Sequence, residues 1–127
     1  MPHLEYFVVA ESATVDQFTN RVSVFNVCDE IHASAFPIRI GRIVGICSWN
    51  AEEGDENKDF QIEVRVQLPE GEPRSFNANF TMPARRQRSF LTFEGIQVSR
   101  SGAVKFEVLL NGRHQATHTI YVYGPES

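Results

Sequence analysis

Phe60-Gln61-Ile62-Glu63-Val64-Arg65-Val66-Gln67-Leu68 is the stretch on which the fold turns. Apolar residues fill the even positions and polar ones the odd positions. That is the two-residue period of a strand with one face in a core and one in water. Pro69-Glu70-Gly71-Glu72-Pro73 reads as a turn, and Phe76, Ala78, Phe80 and Met82 resume the even-numbered apolar set. Facing residues of this hairpin must sum to an even number, which requires a connection of odd length. The segment 69–73 supplies one.

The rest of the chain repeats this character. Leu4, Tyr6, Val8 and Ala10 share one parity, and Phe7 and Val9 the other, as in a central strand or one covered by a partner chain. Asp16 to Asn20 is a turn with apolar Phe18 at its tip. In the next strand the apolar set shifts from Val22 and Val24 to Phe25, Val27 and Ile31, which predicts a β-bulge near Val24 to Asn26. The shift turns Asp29 inward, where it is expected to bond backbone N–H groups at the corner before Phe36-Pro37. A third strand runs from Ile38 to Trp49, with Gly41 and Gly45 marking bends or close packing. Phe90 to Val98 follows the basic loop 83–88 and carries an irregularity at Gly95. Val104, Phe106, Val108 and Leu110 then precede Ala116, His118, Ile120 and Val122.

Asn111-Gly112 between the last two strands favours a two-residue type I′ turn. That turn would set Phe106 opposite Thr117. Pairing even with even positions calls for a three-residue loop with Gly112 left-handed, and burial is expected to prevail over the local signal. The sum is an all-β chain: a two-sheet antiparallel β-sandwich of about eight strands in a single domain, 1–127, with a closed β-barrel as the alternative. Ten Phe, with many Val and Ile, suit pleated surfaces, and 127 residues are enough for a sizeable core.

A formal net charge of −4 argues against broad nucleic-acid or anionic-membrane binding. No apolar run approaches membrane-spanning length, and Met-Pro-His-Leu-Glu-Tyr lacks the basic start of a signal peptide, so a cytoplasmic location is expected. Cys28 and Cys47 are then free thiols, too close in sequence for the immunoglobulin pattern.

Four groups of residues could carry function. Asp29, Glu30 and His32 have the chemistry of a hydrolase-like acid–base site but no accompanying nucleophile motif. Asp55-Glu56-Asn57-Lys58-Asp59 opens like a calcium loop, yet Phe60 and Arg65 stand where the EF-hand needs Gly and Glu, so the acidic loop 51–59 is expected to be solvated. Arg85, Arg86 and Arg88 can grip phosphate or carboxylate groups, or else form a solvated loop paired with that acidic loop. Trp49, Leu109, Tyr121 and Tyr123 fall on outward positions and form a candidate apolar interface. His114 and His118 share parity but lie about 13 Å apart along a strand, too far for one ion. No catalytic residue, metal or cofactor is expected.

Val9-Ala10-Glu11, Asp16 to Asn20, Val27-Cys28-Asp29-Glu30-Ile31 and Phe36-Pro37 together resemble a family of short uncharacterised bacterial proteins. The likeness covers about the first third of the chain, with Phe18-Thr19-Asn20 replacing a Gly at the turn. It implies a bacterial β-sandwich and no established activity. The expectation is therefore a non-enzymatic protein–protein interaction or accessory module, acting as a homo-oligomer or with another protein. The alternatives are an anion-binding module at loop 83–88 and a hydrolase-like site at Asp29, Glu30 and His32.

Overall fold

The fold was taken from a computed structural model, which describes residues 1–125. The chain forms eleven strands and, among the described residues, no helix: β1 (His3–Val15), β2 (Val22–Val27), β3 (Glu30–His32), β4 (Ile38–Ile40), β5 (Ile43–Asn50), β6 (Asp59–Gln67), β7 (Arg74–Thr81), β8 (Arg86–Phe93), β9 (Ile96–Val98), β10 (Gly102–Leu110) and β11 (Arg113–Tyr123). One sheet has the order β2-β1-β5-β8, a second β3-β11-β10-β6-β7, and β4 pairs β9 in a short ribbon.

The all-β expectation holds, but its detail does not. Three of the eight expected strands are each broken in two. The third breaks at Gly41-Arg42, between β4 and β5, and the sixth between β8 and β9, where Gly95 has φ +73°. The pairing of β3 with β11 is parallel, so the second sheet is mixed. Among the described residues a closed barrel is absent as well, because β2, β8, β3 and β7 remain edges of an open half-barrel.

The second strand breaks because the chain changes sheets. Ala10↔Val27 and Ser12↔Phe25 keep one register, continued by the Cys28 N–H bonded to the Val9 carbonyl, so no bulge lies at Val24 to Asn26. Asn26 instead takes a left-handed φ of 54°. After Asp29 the chain joins the second sheet as β3. Asp29 is exposed, its carboxylate has no partner among the described residues, and only its backbone carbonyl is used, by the Tyr121 N–H. The apparent parity shift arises because the exposed face of β2 carries apolar Phe25 and Val27 while Val22 and Val24 take the other face, and only Ile31 lies beyond the crossing between sheets.

The other registers follow the alternating pattern. Phe60↔Phe80, Ile62↔Ala78 and Val64↔Phe76 pair even with even across the 69–73 turn. In the last hairpin Phe106↔His118 and Val104↔Ile120 form as expected, yet the loop is the two-residue turn, closed by Leu110↔Arg113 with φ 47° at Asn111 and 83° at Gly112. A bulge between Val108 and Leu109 reconciles the two, leaving Gln115 as the extra residue on β11. The local turn preference and the burial of even positions are both satisfied.

The two larger sheets share one core. Val9, Cys47, Trp49 and Phe93 from the first meet Ile62, Val64, Phe106, Val108 and Ile120 from the second. Trp49 stacks on Phe80 with centroids 5.8 Å apart, and Phe93 packs against Phe106 at 5.1 Å. Gly45 belongs to this packing, since a Cβ there would sit 2.8 Å from the Phe93 ring and 3.0 Å from Phe7. Two members of the expected surface patch are therefore misplaced. Trp49 is fully buried on the inward parity of β5, and Leu109 is buried at the bulge, with Glu63 and His114 as cross-strand neighbours.

Cys28 and Cys47 are both free. Burial pushes the Cys47 thiol up to about 12. The half-buried Cys28 is also raised, by desolvation first and then by the charges of Glu11 and Asp29. The thiolate is the reactive form. Cys47 is therefore expected to resist a disulfide reagent in the folded protein and to react fully in denaturant. Labelling at equal rates in both states would contradict its place in the core.

Candidate anion-binding cleft

The first sheet positions the cleft through its ladders. Tyr6↔Ser48↔Arg88 form one row across β1, β5 and β8, and His3↔Asn50↔Arg86 the next but one. Arg86 and Arg88 thus project from the same outward face as Ser48 and Asn50. Both lie on β8 rather than in a loop. Arg85 precedes them, held by its carbonyl, which accepts the Ala51 N–H at 2.7 Å.

The β1–β2 hairpin closes this site from the other side. Beyond Ala10, β1 has only β2 as a partner, and the hairpin ends in a turn where Asp16 Oδ1 accepts the N–H groups of Phe18 and Thr19 at 2.8 and 3.0 Å. These bonds hold the Asp16 carboxyl below its usual value. Tyr6 aligns with Arg88, and nine strand residues, about 30 Å, carry β1 onward to Val15. Nevertheless Arg88 donates to the Asn20 backbone carbonyl and, at 3.4 Å, to its side-chain oxygen. Only a hairpin arched back over the sheet brings Asn20 there. Ala10 and Ile46, fully buried but outside the central core, lie on the face that it crosses.

The result is a cleft of about 610 Å³ lined by Asn20, Asn50, Arg85, Arg86 and Arg88. A second cleft of about 600 Å³ shares Asn20, Arg86 and Arg88 and adds Glu5, Ser48 and Arg21, with Tyr6, Thr19 and Val22. Arg86 donates to both oxygens of Glu5, at 2.8 and 3.2 Å, and Ser48 donates to the same carboxylate at 2.8 Å. The Ser48 bond is the main cause of the lowered Glu5 carboxyl, followed among the favourable contacts by Arg86. Because its folded value is depressed, the Glu5–Arg86 clip is complete above the usual carboxylate range and is lost only as pH falls through that lower value.

The structure thus brings Arg85, Arg86 and Arg88 together and adds residues that the sequence reading missed. Asn20, Arg21, Glu5 and Ser48 are separated from the arginines by roughly 40 residues or more of chain, and no local pattern marks them. The acidic loop 51–59 does not neutralise the arginines, which corrects the expected pairing. Its buried Asp55 accepts the Glu52 N–H at 2.7 Å and faces the Met1 ammonium at 3.3 Å. Among the described residues no set of three His, Cys, Asp or Glu side chains is gathered to hold a metal.

The remaining candidates lie elsewhere. Glu30 and His32 face each other at 3.6 Å on the exposed edge strand β3, where His32 stacks on Tyr123 at 5.3 Å. With Asp29 they line neither cleft. His114 is exposed. His118 is a bridge between the sheets, its Nδ1 accepting the Val9 N–H at 3.4 Å and its Nε2 lying 2.7 Å from the Cys28 carbonyl. Tyr121 and Tyr123 are about half exposed.

These features define an all-β domain with an arginine-lined cleft beneath a folded-back hairpin. The chain belongs to the Family of unknown function (DUF6941), whose model matches residues 5–123. That membership extends the resemblance of the first third to nearly the whole chain. A comparison with curated proteins finds no match. No helix among the described residues is long and apolar enough to cross a membrane.

Proposed function

We propose that the protein is a non-enzymatic interaction module of β-sandwich type that associates with a second copy of itself along the β2–β3 edge. The observation that carries this reading is a run of exposed apolar side chains where the chain passes between sheets. Phe25 and Val27 on β2 and Tyr121 and Tyr123 on β11 are 49%, 47%, 51% and 46% exposed. The Tyr121 N–H bonds to the Asp29 carbonyl, two residues after Val27, so the backbones of Val27 and Tyr121 lie within about 10 Å of one another along the chain path.

The backbone there favours the same partner. β2 and β3 are edge strands of their sheets, and β2, Val22-Ser-Val-Phe-Asn-Val27, holds no charge and no proline. Edge strands without such guards pair readily with an identical strand. Light scattering at high micromolar concentration is expected to give a dimer, and Val27→Glu with Tyr121→Glu to give a monomer. A wild-type monomer at that concentration, or a dimer that survives both substitutions, would remove the proposal.

A further inference from the structure

We infer that the cleft formed by Arg85, Arg86, Arg88, Asn20 and Asn50 binds a phosphate group, as the free ion or as the monoester of a small organic molecule. Arg86 is already matched by the carboxylate of Glu5, the one acidic side chain lining either cleft among the described residues. Among the described residues Arg88 is held only by neutral oxygens of Asn20, so it is oriented without being neutralised. Arg85 is exposed and makes no ion pair among the described residues, and the same is true of Arg21 at the neighbouring cleft. Three guanidinium charges thus remain uncompensated on this face of a chain whose net charge is −4.

The number and kind of donors then select the ligand. One guanidinium fork satisfies both oxygens of a carboxylate. Two unmatched guanidiniums flanking one cleft, with Arg86 and the Asn50 amide beside them, suit a doubly charged group with three acceptor oxygens. Arg88 spends two of its five N–H donors on Asn20 and retains the others. A volume of about 610 Å³ exceeds that of inorganic phosphate, leaving room for a small polar remainder. The lining of this cleft holds no aromatic ring on which a nucleobase could stack, Tyr6 belonging to the neighbouring cleft, which favours a compact phosphomonoester.

Titrations followed by amide NMR, with inorganic phosphate, glucose 6-phosphate and acetate as separate arms, test this. Saturable shifts at residues 85–88 are expected with millimolar phosphate or glucose 6-phosphate, and tighter binding of the sugar phosphate would assign the monoester as the source. Arg85→Ala, which removes no internal bond of its side chain, is expected to keep the melting temperature and weaken binding about tenfold or more. Glu5→Gln, which removes the internal anion, is expected to tighten binding. Acetate binding as well as phosphate overturns the ligand class. Absence of saturable shifts, or an Arg85→Ala protein that binds as the parent does, overturns the site.

Discussion

Replacing Trp49 with alanine is expected to destabilise the protein by about 3–5 kcal/mol, the usual range for deleting a large aromatic side chain from a core. Trp49 is fully buried on β5 of one sheet and stacks on Phe80, itself 5.7 Å from Phe60, in the other. Truncation therefore opens a cavity where the sheets meet, bounded by rings that cannot collapse into it without moving strands. Trp49→Phe keeps a ring against Phe80 and removes an indole N–H that has no hydrogen-bond partner in the core. Its cost is expected to be smaller, about 1–2 kcal/mol. Urea denaturation of the two variants measures both. Equal losses would mean that the stack with Phe80 contributes nothing.

His118→Ala is expected to cost about 2–4 kcal/mol, because it strands two backbone groups at once. The imidazole of β11 accepts the Val9 N–H of β1 and, as the Nε2–H tautomer that this bond implies, donates to the Cys28 carbonyl. It also packs edge-on against Phe7, with centroids 6.3 Å apart. His118→Phe preserves most of that packing and loses both hydrogen bonds, so the difference between the two variants separates packing from bonding. A His118→Ala protein destabilised by less than about 1 kcal/mol would show that the bridge does not tie the sheets.

The strands were legible wherever one face met water. From Phe60 to Met82 the alternation set the hairpin register, and Phe60↔Phe80 follows. The alternation also set the inward side of β10 and β11. It failed where both faces are covered. β5 is apolar on both parities, so periodicity alone places Trp49 outward although Ile43, Gly45, Cys47 and Trp49 face the core and Ile46 lies under the arched hairpin. At Phe25 to Ile31, apolar Phe25 and Val27 on the exposed face of β2, followed by a change of sheet before Ile31, have the same one-residue signature as a bulge. The sequence can show that parity changes, but the partner strand determines why.

The candidate site divides in the same way. That three arginines lie close together was visible in residues 85–88. Their significance depends on which charges they meet, and those partners come from distant segments: Glu5 takes Arg86, Asn20 takes Arg88, and loop 51–59 takes neither. The exposed apolar edge likewise kept Tyr121 and Tyr123 but exchanged Trp49 and Leu109 for Phe25 and Val27.

By itself, then, the sequence determined that the chain is all-β, where most strands run, and which face of the clearly alternating ones is buried. These properties follow from the period of side chains along a single strand. Only the tertiary structure decided which strands share a sheet, that β3 pairs in parallel, and that a hairpin arches back to place Asn20 against Arg88. Those outcomes arise from contacts between residues far apart in the chain, where each segment's environment is supplied by another.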